Sequence, residues 1–205
     1  MVHYWAQFEN RNGDLFRFDT RIYLQPIEKP SKTDLCIGAV IGKNPGSARP
    51  TGNDNSTLQP IQLGHDKFLP TVRNIMIEAY NSAGIALQDN PNKYIQVLNL
   101  FYLCGKDLKT ARAGIHNIQT TPICRSEKNK FNFIFYAWGG PNDGINDYKM
   151  RFIRNPRTDN HIWFDNKTKK PKETIPHEDD FVKHTLGLRH KLIIPSVARV
   201  IKKLY

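Results

Sequence analysis

Residues 35–48 restrict the possible fold more than any other part of this chain. They read Leu35-Cys36-Ile37-Gly38-Ala39-Val40-Ile41-Gly42-Lys43-Asn44-Pro45-Gly46-Ser47-Ala48. The apolar run with Ile37, Val40 and Ile41 suits a strand buried on both faces. It breaks into Gly-Lys-Asn-Pro-Gly-Ser, and the glycines at both ends of Gly42–Gly46 with Pro45 between them set a sharp turn with open backbone. Open α/β sheets bind ligands beyond the carboxyl ends of their strands, which is where this turn would carry Asn44. Asn-Pro also makes ordinary strand-to-loop turns, so the stretch alone leaves both readings open.

Two later segments repeat the pattern of an apolar strand ending in a polar or small residue: Tyr94-Ile95-Gln96-Val97-Leu98-Asn99-Leu100-Phe101, and 131–140, which ends Tyr136-Ala137-Trp138-Gly139-Gly140. Between the first two strands, Val72, Ile75, Met76, Ala79 and Ala83 recur at helical spacing after Pro70, and Gly84 ends the helix. Weaker helical patterns cover 107–119 and 141–154, and a short basic amphipathic helix runs from Ser196 to Leu204. Residues 1–25 read as a β-hairpin around Asn12-Gly13, while 47–64 reads as a long polar loop able to close over a substrate. Strands alternating with helices predict an α/β protein with a mostly parallel central sheet and helices on both faces. The 205 residues suit a single domain, 1–205, with an N-terminal hairpin and a basic, aromatic-interleaved insertion at 149–172.

Charge narrows the partner. The net charge of +11 favours a polyanion, usually nucleic acid, over a merely basic surface. In 149–172, Arg151, Arg154, Lys169 and Lys170 alternate with Phe152, Ile162, Trp163 and Phe164, a pattern for phosphate contacts beside stacking rings or for a solvated hairpin turning at Asp165-Asn166-Lys167. Cys36, Cys104 and Cys124 are far apart, and neither they nor His116, His161 and His177 have metal-ligand spacing, so no cofactor is expected. No apolar run reaches the ~18 residues of a membrane span, and Met1-Val2-His3-Tyr4-Trp5 does not open a signal peptide, so a cytoplasmic protein is expected. There is no phosphate-binding G-x-x-x-x-G-K-[ST], no zinc-deaminase H-x-E with P-C-x-x-C, and no G-x-S-x-G elbow.

In order, G-K-N-P-G-S, V-L-N-L and F-I-F-Y-A-W-G-G resemble the uracil-DNA glycosylase superfamily over roughly residues 35–195. Pro70-Thr71-Val72-Arg73-Asn74 and the Asn99-Leu100-Phe101 strand end are similar to a little-characterised branch with an N-P-S-T-A-type first motif. The resemblance implies a three-layer α/β/α fold and a monomeric, monofunctional glycosylase that flips a base out of DNA and leaves an abasic site. It implies that Asn44 positions the water, within a substrate-binding turn of Gly42, Lys43, Pro45, Gly46 and Ser47, and that Asn99 reads the base. Gly46 stands where the uracil-specific branch has a Tyr beside pyrimidine C5, which points to a C5-modified pyrimidine and to a role in phage defence or base-excision repair. Of the late histidines, His190 in Arg189-His190-Lys191-Leu192 best resembles that branch's R-H-P-L, with Lys191 in place of Pro, and His184 is the second choice.

Phe68 is the candidate for stacking on the base, while Phe101 suits the core. Arg73, Arg189 and Lys191 join Arg151, Arg154, Lys169 and Lys170 as candidate DNA contacts. The alternatives are a nucleic-acid- or nucleotide-binding module of the same fold, without base excision, and a glycosidase acting on free nucleotides.

Overall fold

Asn12 and Gly13 turn the chain at its first hairpin. In the computed structural model they have φ of 52° and 90°, the positive values of the type I′ turn that matches strand twist. The turn joins β1 (Val2–Arg11) to β2 (Asp14–Ile27), with Arg11 opposite Asp14. The structure describes residues 1–52, 57–87, 92–105, 122–140 and 144–205. The expected helix at 107–119 and the Pro141-Asn142-Asp143 opening of the next one lie outside the described residues.

β3 spans Leu35–Gly42, as its apolar run predicts. The segment expected to be one loop, 47–64, instead holds two short strands, β4 (Arg49–Pro50) and β5 (Gln59–Gln62). They pair with each other, and β5 adds to β1 through Trp5 and Ala6. Elements of two and four residues are too short to show a period of two, so a scan for alternation passes over them.

The first helix, α1 (Phe68–Ala83), carries the expected apolar face, with Val72, Ile75, Met76 and Ala79 wholly buried. Burial of each large side chain on that face contributes about 1.5–3 kcal/mol. Gly84 ends α1 in the left-handed conformation at φ 73°. β6 (Lys93–Asn99) and β7 (Ile134–Tyr136) follow, then α2 (Asn146–Ile153), β8 (His161–Asp165), β9 (Lys170–Lys172) and α3 (Ile194–Lys203).

These strands form one mixed nine-stranded sheet in the order β4-β5-β1-β2-β6-β3-β7-β8-β9. It is parallel from β6 through β3 and β7 to β8, and antiparallel elsewhere. The expectation of a mostly parallel sheet is therefore corrected. The hairpin is built into the sheet, because β2 pairs with β6 from Thr20 opposite Val97 to Tyr23 opposite Tyr94. A two-residue turn can join only antiparallel strands, so building in the hairpin lays antiparallel pairing beside the parallel centre. The stretch read as an insertion, 149–172, likewise supplies the end of α2 and two sheet strands, β8 and β9.

Alternation along the central strands makes two cores. Val40, Ile95, Val97, Phe135, Ile162 and Phe164 pack under α1 and α3, while Ala39, Ile41, Leu98, Tyr136 and Trp163 face Phe152 of α2 and the segment Leu100–Leu103. The result is a three-layer α/β arrangement. Among the described residues no helix is long and apolar enough to cross a membrane.

Candidate active site

β3 and β6 lie side by side in parallel, with Gly42 opposite Asn99, so their last residues reach the same edge of the sheet. From β3 the chain returns through α1 to β6 on one side, while β7 lies on the other. This divergence is the switch point at which open α/β sheets form ligand crevices. The turn after β3 is pinned by backbone hydrogen bonds: Leu100 N–H to Gly42 O at 3.1 Å, Phe101 N–H to Lys43 O at 3.2 Å, and Gly105 N–H to Gly46 O at 3.1 Å. Gly46 has φ 70°, a conformation in which any side chain would be strained.

A cleft of about 200 Å³ opens there. One wall is the turn from Gly42 to Ser47, a second is His65–Phe68 at the start of α1, and His184 and Leu186 close the third. Pockets that engulf whole drug-sized ligands occupy about 300–1,000 Å³, so this one suits a single planar ring. Asn44 and Phe68 are half-buried, and Pro45 is buried.

Asn99 lies beneath the cleft, 1% exposed. Its Oδ1 is 2.9 Å from the point that a Cβ on Gly42 would occupy, and Phe68 Cζ is 3.1 Å from the same point. A glycine at 42 is what lets both side chains approach. Among the described residues the Asn99 Nδ2 has no hydrogen-bond partner. An orphaned buried donor costs about 1–3 kcal/mol, a loss that a ligand acceptor would offset. Arg151 braces this strand end, donating to the carbonyls of Asn99 (3.2 Å) and Leu100 (2.9 Å) and pairing with Glu127 at 2.7 Å.

His184 packs against Phe68, with ring centroids 5.2 Å apart. A Cβ on Gly139 would lie 3.1 Å from the His184 Cβ, so the glycine after Trp138 leaves room for this histidine. Burial holds the His184 pKa down to about 4, helped by the charges of Lys43 and Lys183 and opposed by Asp66. The Leu186 N–H donates to His184 Nδ1 at 3.1 Å, which leaves the proton on Nε2. The group is therefore a neutral hydrogen-bond donor at pH 7.

This depression has a consequence for stability. The unfolded chain takes up a proton near pH 6.5 and the folded chain only near 4, so stability is full above 6.5 and falls as pH drops from 6.5 toward 4. Urea unfolding of the wild-type protein and of His184→Gln at pH 7 and 4.5 checks this. The variant is expected to lose less stability over that interval, and equal losses would remove His184 as the cause.

Several other expected site residues stand elsewhere. His190, the first choice of the two histidines, opens a short 3-10 turn, His190–Leu192, and does not line the cleft, whereas His184 does. Five residues lie between them, and His184 is the one that packs against Phe68. Arg151 is committed to Glu127 and to backbone carbonyls instead of facing outward. Arg73 donates to Leu24 O at 2.7 Å and 3.2 Å, tying α1 to β2. Arg154, Lys169, Lys170, Arg189 and Lys191 are exposed. Lys169, Lys183 and Arg189 flank a groove of about 340 Å³ floored by Phe164 and Leu188, formed partly by the loop that carries His184. Phe101 is wholly buried in the core, as its reading expected.

Sequence reasoning missed His65, Asp66, Lys67 and Leu186 as cleft residues. An Asp two positions before the first helical residue is an N-terminal signal in its own right. Leu186 is 43% exposed on the rim, and nothing in its local sequence marks it.

No family model, curated protein or solved structure matches the chain. The functional reading therefore rests on the cleft.

Proposed function

We propose that this protein is a monofunctional DNA glycosylase with a uracil-DNA glycosylase-like fold, acting on a pyrimidine, with a C5-modified pyrimidine as the preferred substrate. The observation that carries the reading is a ring-sized cleft lined by the neutral His184 donor, with Asn99 beside Gly42 beneath it and the Asn99 Nδ2 without a hydrogen-bond partner among the described residues. Cleaving an N-glycosidic bond leaves negative charge on the departing base and positive charge on the sugar. Asn99 offers a donor and an acceptor to a pyrimidine edge. His184 Nε2–H suits the charge that develops on a base oxygen, because a preorganised neutral donor needs no proton uptake. Phe68 offers a face for the flipped ring. Asn44 is the group that orients the water.

With no side chain at Gly46 the cleft lacks the wall that a Tyr would make there, which favours a substituent at the pyrimidine C5 position. Leu186 on the rim suits the gap that an extruded base leaves in the stack. Arg154, Lys169, Lys170, Arg189 and Lys191 supply exposed charge for phosphates, in keeping with a net charge of +11.

The test is abasic-site formation on oligonucleotides carrying uracil, mismatched thymine, or cytosines with small and bulky C5 groups, and on free nucleosides. Cleavage in DNA, strongest with a C5 substituent, is the expected result. Uracil-only cleavage would keep the chemistry and remove the open-pocket argument. Cleavage of free nucleosides alone would identify a nucleoside hydrolase, and salt-sensitive DNA binding without abasic sites would identify a binding module.

A further inference from the structure

We infer that Asp66 is the carboxylate that takes the proton of the attacking water and faces the positive charge on the sugar, an assignment that rests on the glycosylase reading. Among the described residues that line the cleft, Asp66 is the one carboxylate. Asn44 is a neutral amide, which orients water but accepts no proton. His184 is not a substitute, because its Nδ1 already accepts the Leu186 N–H and its Nε2 carries the proton.

Asp66 is built into the site. Its side chain is 5% exposed, and Oδ1 accepts the N–H groups of Phe68 at 2.8 Å and Leu69 at 3.3 Å, at the start of α1. Oδ2 meets Arg17 Nη1 at 3.4 Å. Arg17 comes from β2, is 1% exposed, and among the described residues its Nε has no partner. The two oxygens are therefore unequal. Oδ1 is committed to the helix, while Oδ2 has one long contact and lies 3.8 Å from the point that a Cβ on Gly46 would occupy. Gly46, Asn44 and Asp66 all line the same cleft. The Asp66 charge also reaches the imidazole across the cleft, since it raises the His184 pKa against the effect of burial.

In the proposed step the bond from C1′ to the base nitrogen breaks and its electron pair leaves with the base, whose anion is met by His184 Nε2–H. The water oxygen bonds C1′, and its proton passes to Asp66 Oδ2 and on to solvent. No metal or redox partner is needed to balance the step.

A role confined to capping α1 and neutralising Arg17 predicts different behaviour, and two variants separate the cases. Asp66→Asn keeps an oxygen for the Phe68 and Leu69 amides but takes the carboxylate from buried Arg17, so it is expected to fold with a lowered melting temperature, and kcat is compared well below that temperature. On the substrate that the wild type cleaves best, its kcat should fall about 10²–10³-fold, within the range of a lost general base, with little change in KM. Asp66→Ala should be equally slow, and azide should restore turnover by attacking C1′ without needing a base, giving an azido sugar detectable by mass. Wild-type kcat in Asp66→Asn, or a loss in both variants that follows melting and resists azide, overturns the assignment while leaving the glycosylase reading in place. A wild-type protein that forms no abasic sites on any substrate overturns both.

Discussion

Asn44→Ala is expected to lower the kcat for abasic-site formation about 10²–10³-fold, the scale of losing one preorganised polar group. KM and DNA affinity should change little. The turn carrying Asn44 is held by its backbone, through Leu100 N–H on Gly42 O, Phe101 N–H on Lys43 O and Gly105 N–H on Gly46 O, and none of these bonds involves the Asn44 side chain. Truncation therefore removes the amide and leaves the turn in place. Single-turnover excision, with DNA binding measured over a salt series, separates the two quantities. Asn44→Asp restores an acceptor and adds charge, so it is expected to recover part of the rate. If Asn44→Ala excised at the wild-type rate, Asn44 would be a turn former and the water would have to be positioned from another wall of the cleft.

Gly38→Ala should cost the fold about 3 kcal/mol or more, at or beyond the upper end of ordinary overpacking. A Cβ at position 38 would lie 2.4 Å from Phe133 Cε1, 2.5 Å from Cζ and 2.7 Å from Cδ1. The Phe133 ring has no space to retreat, because it is wholly buried in the core under α1 and α3. Its backbone cannot withdraw either, since Phe133 O accepts the Ala39 N–H at 2.9 Å. Total stability of a domain is about 5–15 kcal/mol, so the variant should unfold at much lower urea. Adding Phe133→Leu removes the clashing ring carbons, and the pair should recover part of the loss, with a coupling of about 0.5–3 kcal/mol. Simple additivity of the two costs would mean that the strain is relieved elsewhere along β3.

Local pattern made much of this protein legible. The Asn12-Gly13 turn, β3 to its last residue, and α1 with its Gly84 stop each follow from residues within one element. The turn residues of the cleft were legible for the same reason, since Gly42 through Ser47 are consecutive. Charge was less informative. Arg151 and Arg73 read as phosphate contacts because a list of residues shows charge but not direction. Their partners, Glu127 and the Leu24 carbonyl, lie 24 and 49 positions away. His184 and His190 could not be ranked from one loop, and the Phe68 ring that distinguishes them arrives from 116 positions earlier.

By itself, the amino-acid sequence determined the hairpin, β3, α1 and β6, though not the short strands β4 and β5, and that a small-residue turn with Asn44 caps a buried strand. Both depend on steric preferences and periodicities that act over a few residues. Folding decided the rest: the hairpin built into the sheet, the pairing that sets Asn99 beside Gly42, the placing of His184 and not His190 at the cleft, and the placing of Asp66 on Arg17. These depend on contacts between distant segments and on how fully each polar group is buried. Burial is a property of the assembled layers, and here it keeps His184 neutral and, among the described residues, leaves the Asn99 Nδ2 without a hydrogen-bond partner.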